Sequence, residues 1–374
     1  MMTGQSQFKS IWLVLSGVGL LIAPLVVQQL GSGPVRIMDQ ALLYVLLALG
    51  LNIVIGYAGL LDLGYVAFYA LGAYLFAWLA SPHLGEHFVA IQTLFPNGLH
   101  SPWWIVFPAA ACFAAFFGVL LGAPTLNLRG DYLAIVTLAF GEIVRLFIVN
   151  SGHPFNITNG AHGISQIDDI HFFGLDLGKK LDVFGFALPP VTLYYYVFLA
   201  LVLLGVLFCH RVQHSRIGRA WMAIREDEVA AEAMGINTRN LKLLAFATGA
   251  SFGGVAGVMF GAFQGFISPE SFSLQESVLI TAMVVLGGMG HIPGVVLGAL
   301  LLSALPEVLR YAVGPLQEMT DGRLDAPILR QLLIAIAMIG VMLIRPRGLW
   351  ALPEHGKAAP GAVDVQCPSP MRQG

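Results

Sequence analysis

Apolar stretches of about 20 residues, each long enough to cross the hydrocarbon core of a bilayer, recur along nearly the whole chain. Ten candidates stand at 11–30, 37–55, 60–80, 103–126, 132–150, 191–210, 243–266, 276–290, 293–313 and 327–344. A water-soluble fold cannot absorb that pattern. Of 374 residues 57% are apolar and only 11% charged, against roughly 25% charged in an average soluble domain. Because hydrocarbon offers no partner to backbone N–H and C=O groups, spans of this kind must be helical. The expected fold class is an all-α polytopic membrane protein of about ten transmembrane helices. Forty-three dispersed glycines and 20 prolines add the expectation of close helix packing and of broken, Gly-rich segments, the short eighth span above all. The first span has a long apolar run and no A-x-A site after it, so it reads as an uncleaved span and not a signal peptide.

Basic residues orient the spans. Arg211, Arg216, Arg219, Arg225, Arg239 and Lys242 crowd the segment 211–242, and Arg345, Arg347, Lys357 and Arg372 follow the tenth span. The positive-inside rule puts both regions in the cytoplasm, and ten spans then put both termini there. The segments 82–102 and 151–190 face outward. Residues 1–352 form one transmembrane domain, and 353–374, mixed in Pro, Gly, Ala and charge without periodicity, read as a disordered cytoplasmic tail.

Several chemistries are excluded. A net charge of −2 gives no reason to expect nucleic acid. The Gly-Lys pairs at 178–179 and 356–357 are not followed by Ser or Thr, so no phosphate-binding loop is present, and the chain carries no visible means of hydrolysing ATP. No Cys or His spacing suits a metal. Cys112 and Cys209 lie in apolar runs and are expected to be buried, inert thiols. No enzyme motif appears, and no cofactor is expected in this chain.

The segment 216–237 cannot cross lipid, because Arg225, Glu226, Asp227 and Glu228 are consecutive. It reads as one helix of about four turns, closed at Gly235 by a left-handed C-cap. Ala220, Ile224, Ala231 and Met234 fall on one face at helical spacing. The bland alternative is a helix lying on the lipid interface. Four acidic residues, Glu226, Asp227, Glu228 and Glu232, oppose it, since anionic lipid would repel them. A docking helix for a soluble partner fits better, its charges supplying orientation.

At Glu228-Val-Ala-Ala-Glu-Ala-Met-Gly235 the segment resembles, in loose form, the coupling loop of ABC-importer permeases. More of the chain is similar to the LivM-type permeases of branched-chain amino acid importers. The matching blocks are Gly56–Tyr74, Leu128–Arg145, Gly265–Phe272, Val285–Gly290 and Arg345–Leu349. The resemblance implies an ABC-importer permease fold in the bacterial inner membrane. It implies partners as well: separate ATPase subunits, which carry the ATP and Mg chemistry, a second homologous permease, and a periplasmic substrate-binding protein. Arg219, Arg225, Glu226, Asp227, Glu228, Ala231, Glu232 and Gly235 would then couple the permease to the ATPase. The substrate would be leucine, isoleucine, valine or a related amino acid. Urea or a short-chain amide is the alternative within the family, and a stand-alone secondary transporter or channel the alternative outside it.

Polar groups within the spans supply the candidates for the translocation pathway. Asn52, Gly56, Asp62 and Tyr65 lie in the glycine-rich join of spans two and three, near the cytoplasmic end; either they wall the pathway or they serve close packing. Glu142 and Arg145, three apart on span five, either neutralise one another or meet a passing amino acid. The resemblance also implies that the outward turn containing Asn159 and His162 lies near the periplasmic entrance, although a lone His is weak support for proton coupling.

Overall fold

The computed structural model describes residues 19–87 and 101–319, apart from 126–127, 129, 153–155, 173–174, 179 and 184–185, and isolated positions between 332 and 343. Most of the tenth expected span, both termini, the tail 353–374, Cys367 and most of 82–102 lie outside these residues. Of the first span, 19–27 are described and helical.

Eleven labelled helices follow. The first is α1 (Ser32–Leu51), which runs without interruption into a π-helical segment, Asn52–Tyr57. Then come α2 (Val66–Leu79), α3 (His83–His87), α4 (Trp103–Thr125), α5 (Asp131–Asn150), α6 (Pro190–Gln213), α7 (Arg216–Glu226), α8 (Glu228–Ala233), α9 (Thr238–Gln264), α10 (Leu274–Gly287) and α11 (Ile292–Met319). Five are long and apolar enough to cross a membrane: Ser32–Tyr57, α4, α5, α6 and α9. Helices α2, α10 and the apolar part of α11, Ile292–Val308, are shorter. The spans at 37–55, 103–126, 132–150, 191–210, 243–266, 276–290 and 293–313 each coincide with a helix.

Span 60–80 is a correction. Only Val66–Leu79 is helical there, and 58–65 is an irregular strap. Gly59 takes φ +70°, and the Asp62 carboxylate accepts from Gly64 N at 2.9 Å, so local side-chain bonding displaces the helix. The strap's polar backbone is accounted for by neighbouring helices, as buried backbone must be. Leu63 N donates to Thr137 Oγ1 of α5 at 3.0 Å, and Ser277 of α10 donates to Leu63 O. Tyr65 Oη donates to Gly249 O of α9 at 3.0 Å.

Helix α9 is the axle of the bundle, packing against α4, α2 and α1. Its glycines make this possible: a Cβ on Gly72 of α2 would stand 2.1 Å from Gly254 O, so the two backbones meet where no side chain fits. The apolar core runs through α1, the π segment, α2 and α9, while Ile135, Ile143, Phe147, Leu204 and Leu207 turn outward, as lipid-facing surfaces require. Cys209 is buried, but Cys112 is exposed on α4; an apolar run fixes membrane residence, not which face points inward.

At one end of the bundle the segment 151–190 adds three small antiparallel pairs, β2 (His171–Phe172) with β3 (Leu175–Asp176), β4 (Leu181–Val183) with β5 (Phe186–Leu188), and β1 (Ile164–Ser165) with β6 (Phe266–Ile267). The last pair clips the loop after α5 to the end of α9. The opposite end carries α7 and α8.

Candidate functional site: a charged elbow joined to a broken span

The charged segment is two helices and not one. Asp227 has φ −154° and ψ 110°, and its carboxylate accepts from Val229 N and Ala230 N at 2.9 and 3.0 Å. An aspartate that caps a new helix ends the old one. The result is an elbow of α7 and α8. Ser215 caps α7 through Gly218 N, and Asn237 caps α9 through Asn240 N. Gly235 closes α8 at φ +83°. Its N–H reaches Glu232 O and that of Ile236 reaches Ala231 O, the paired bonds of a Schellman ending.

The buried face differs from the expected one. Ile224 and Ala231 are buried, but the principal anchor is Trp221, 1% exposed, whose indole N–H donates to Leu241 O at 2.7 Å. Met234 is 84% exposed, because the break at Asp227 resets the helical phase and turns it away from α7's buried stripe. Arg219, Glu226 and Glu232 also project from the surface. Glu228 does not point to a partner alone: Lys242, itself buried in α9, reaches its carboxylate at 2.5 Å. This pair ties α8 to the start of α9.

Arg225 turns the other way, into the bundle. Its guanidinium donates to Gly56 O, a carbonyl at the end of the π-helical segment. The last carbonyls of any helix lack a partner within the helix, and a cation there also suits the helix dipole. Its stem lies on Gly59, where a Cβ would stand 2.8 Å from Arg225 Cγ. The same guanidinium borders Gly290, in the turn between α10 and α11, and Gly290 N donates to Asn52 Oδ1 at 2.8 Å. One arginine therefore touches three elements: the elbow, the π segment and the 288–290 turn. Asn52, Gly56 and Arg225, read separately in the sequence, meet at one joint. A polar cleft of about 430 Å³ opens beside it, lined by Gly59, Leu61, Asp131, Arg225, Glu226, Val229 and Lys242 among others.

The remaining candidates lie apart. Asp62 is fully buried, its Oδ2 without a hydrogen-bond partner among the described residues. Glu142 and Arg145 form an ion pair at 3.0 Å, each side chain about one-third exposed, at the margin of the outward face of α5. Asn159, at the other end of the bundle, has φ +59°; its side chain bonds Gly163 O and Asn156 and holds its own turn. His162 is exposed in that turn. Among the described residues no cluster of His, Cys, Asp or Glu could hold a metal.

Residues missed by sequence reasoning are Trp221, whose lone aromatic in a charged helix was the available signal, and Glu276 on α10. Tyr44 Oη of α1 donates to the Glu276 carboxylate at 3.0 Å.

A family described as branched-chain amino acid transport system / permease component matches residues 33–342. The chain is 41% identical over 329 residues to the high-affinity branched-chain amino acid transport system permease protein LivM of Escherichia coli (strain K12), covering 85% of this chain and 70% of that one. It is 27% identical over 338 residues to a probable branched-chain amino acid transport permease protein LivM of Methanocaldococcus jannaschii, covering 83% and 91%. It is 25% identical over 319 residues to the corresponding LivH protein of Salmonella typhimurium, covering 84% and 93%. No solved structure matches the chain.

Proposed function

The chain belongs to the permease family of branched-chain amino acid transport systems, and on that premise we propose that it forms, with a second homologous permease, the membrane pathway of an ATP-driven importer. The substrate is leucine, isoleucine, valine or a related amino acid. Hydrolysis of ATP with Mg takes place on separate ATPase subunits, this chain supplying neither catalyst nor cofactor. A periplasmic binding protein delivers the substrate to the end of the bundle carrying the β1–β6 clip. The location is the bacterial inner membrane, with both termini cytoplasmic.

The observation that carries this reading is the Arg225 joint. An ATPase moving against the exposed residues of the elbow, Val229, Glu232 and Met234, pulls on Gly56 O through a guanidinium, and on the 288–290 turn beside it. The broken end of the first long span then moves with the elbow. Asn52, Gly56, Asp62 and Tyr65 lie in or next to that moving segment. Glu142 and Arg145, about one-third exposed on α5, are the second set that a zwitterion would pass, and Asn159 shapes the outer turn. Small interface shifts of this kind switch packed helices between discrete arrangements.

The test is copurification of the chain from native membranes with identification of its partners, followed by uptake of labelled leucine and labelled urea in vesicles holding the whole complex. Leucine uptake that requires ATP supports the reading. Uptake driven by an ion gradient in the absence of any ATPase refutes it, and urea uptake without leucine uptake moves the substrate to the amide class.

A further inference from the structure

Tyr44 lies thirteenth in the 26-residue span Ser32–Tyr57. At ~1.5 Å per residue it is roughly 20 Å from either end, hence near the middle of the bilayer. Its hydroxyl donates to Glu276, so that carboxylate is at mid-depth too. Helix α10, starting at Leu274, is consequently a half-span: it begins in the membrane interior and runs to the joint at 288–290. The chain before it, 265–273, follows from the β1–β6 clip without α-helix, through a 3-10 turn at Pro269–Phe272. Irregular backbone at this depth is tolerated only where protein buries it or a polar cavity borders it.

The carboxylate has an unusual setting. It is half-buried, and among the described residues no Lys, Arg or His pairs with it. An acidic side chain at mid-membrane normally finds a cation or serves a passing one. Behind it the packing is dense: Tyr69 and Phe272 rings stand 5.0 Å apart, with Phe260 against both. Gln40, one turn before Tyr44 on the same face of α1, and Gln275, next to Glu276 in sequence, are both exposed. Val278, Leu297 and Leu301, the exposed residues that follow on α10 and α11, are apolar. Ser277, the next residue, holds Leu63 O of the strap that carries Asp62 and Tyr65.

We infer that Glu276, oriented by Tyr44, is the mid-membrane contact for the ammonium group of the transported amino acid. The inference rests on the pathway reading above and adds the group that recognises the substrate's charge. Neutral amides lacking an ammonium would gain nothing from it. A purely structural role, a carboxylate in the first turn of α10 favoured by the helix dipole, is the competing explanation. It affects assembly and not substrate choice.

The experiment uses the complete importer in vesicles, with labelled leucine uptake and ATP hydrolysis measured together. Glu276→Gln keeps size and hydrogen bonding but removes the charge. It is expected to lower leucine uptake per ATP hydrolysed at least tenfold, while binding-protein-stimulated hydrolysis stays within twofold of the parent. Glu276→Asp should recover part of the loss. Tyr44→Phe, which removes only the orienting hydroxyl, should lower uptake per ATP three- to tenfold in a fully assembled complex. Parental uptake per ATP in either Glu276→Gln or Tyr44→Phe overturns the inference. So does loss of assembly in both Glu276 variants together with parental coupling in Tyr44→Phe. If the unmodified complex takes up urea and not leucine, the substrate reading and this inference both fall; parental leucine uptake with unaffected variants removes the inference alone.

Discussion

The ion pair between Glu228 and Lys242 should respond very unequally to loss of its two members. The Lys242 side chain is 5% exposed and that of Glu228 is 26% exposed. Glu228→Gln strands an ammonium that water cannot reach, and removing one partner of a buried pair costs about 3 kcal/mol or more. Lys242→Met leaves a carboxylate that already meets solvent and sits in the first turn of α8, where a negative charge is favoured; the cost should be about 1 kcal/mol. Methionine also fills the lysine stem's apolar surroundings. A difference of about 2 kcal/mol is roughly a thirtyfold difference in the local opening equilibrium. The assay is amide hydrogen exchange of residues 216–242 in the detergent-solubilised chain, which reports local opening free energies directly. Protection should fall about a hundredfold in Glu228→Gln and about fivefold in Lys242→Met. The double variant should lie near Lys242→Met, because the stranded charge is gone. Equal losses in the two single variants, or a larger loss in Lys242→Met, would refute the argument that burial sets the asymmetry.

Gly235→Val should uncouple ATP hydrolysis from uptake without disturbing insertion. Its Cβ would meet nothing within 4 Å, so the cost of about 1–2 kcal/mol comes from positive φ alone, and parental coupling in reconstituted vesicles would count against the elbow. Gly56→Ala places a Cβ 2.1 Å from Asn52 Oδ1 and 2.6 Å from Gly290 N. Overpacking of that kind costs about 1–3 kcal/mol, so uptake should fall while ATPase copurification persists; unchanged uptake would show that the joint is not part of the moving machinery. For Glu142 and Arg145, each single change to Ala should impair transport more than the double change, and simple additivity in a double-mutant cycle would argue against pairing. Reporters fused after residue 225 should read cytoplasmic and those near residue 170 external; the reverse at 225 would overturn the orientation.

Much of the bundle was legible because apolar length is a strong signal. The stretch 103–126 became Trp103–Thr125 and 132–150 became Asp131–Asn150. Gly235 was legible for a different reason: few residues but glycine end a helix with positive φ. Asp227 was not, since within a run of four charges it looks like an exposed helical residue until its carboxylate is seen to cap the next turn. The strap 58–65 was hidden by its own hydrophobicity, because Leu60, Leu61 and Leu63 suit a span equally well. Hydropathy carries no information about depth, so Glu276 read as the edge of a span and not as a residue in the membrane interior. The convergence of Asn52, Gly56 and Arg225 joins residues 169 positions apart, a long-range contact that no local pattern encodes.

The π-helical end of the first span has a consequence for angular phase. Ala58 N donates to Ile53 O, a wider ring than the α-helical one. Such segments amount to one extra residue within an otherwise α-helical run. One residue corresponds to about 100° of rotation around the axis. Everything downstream, from the Gly56 carbonyl to the strap that follows, owes its azimuth to that single surplus position. Deleting one residue from 52–57 would leave the span's apolar character almost untouched, yet swing Gly56 O from the arginine toward a neighbouring helix. Hydropathy would not register the change; the lever arm would simply point elsewhere.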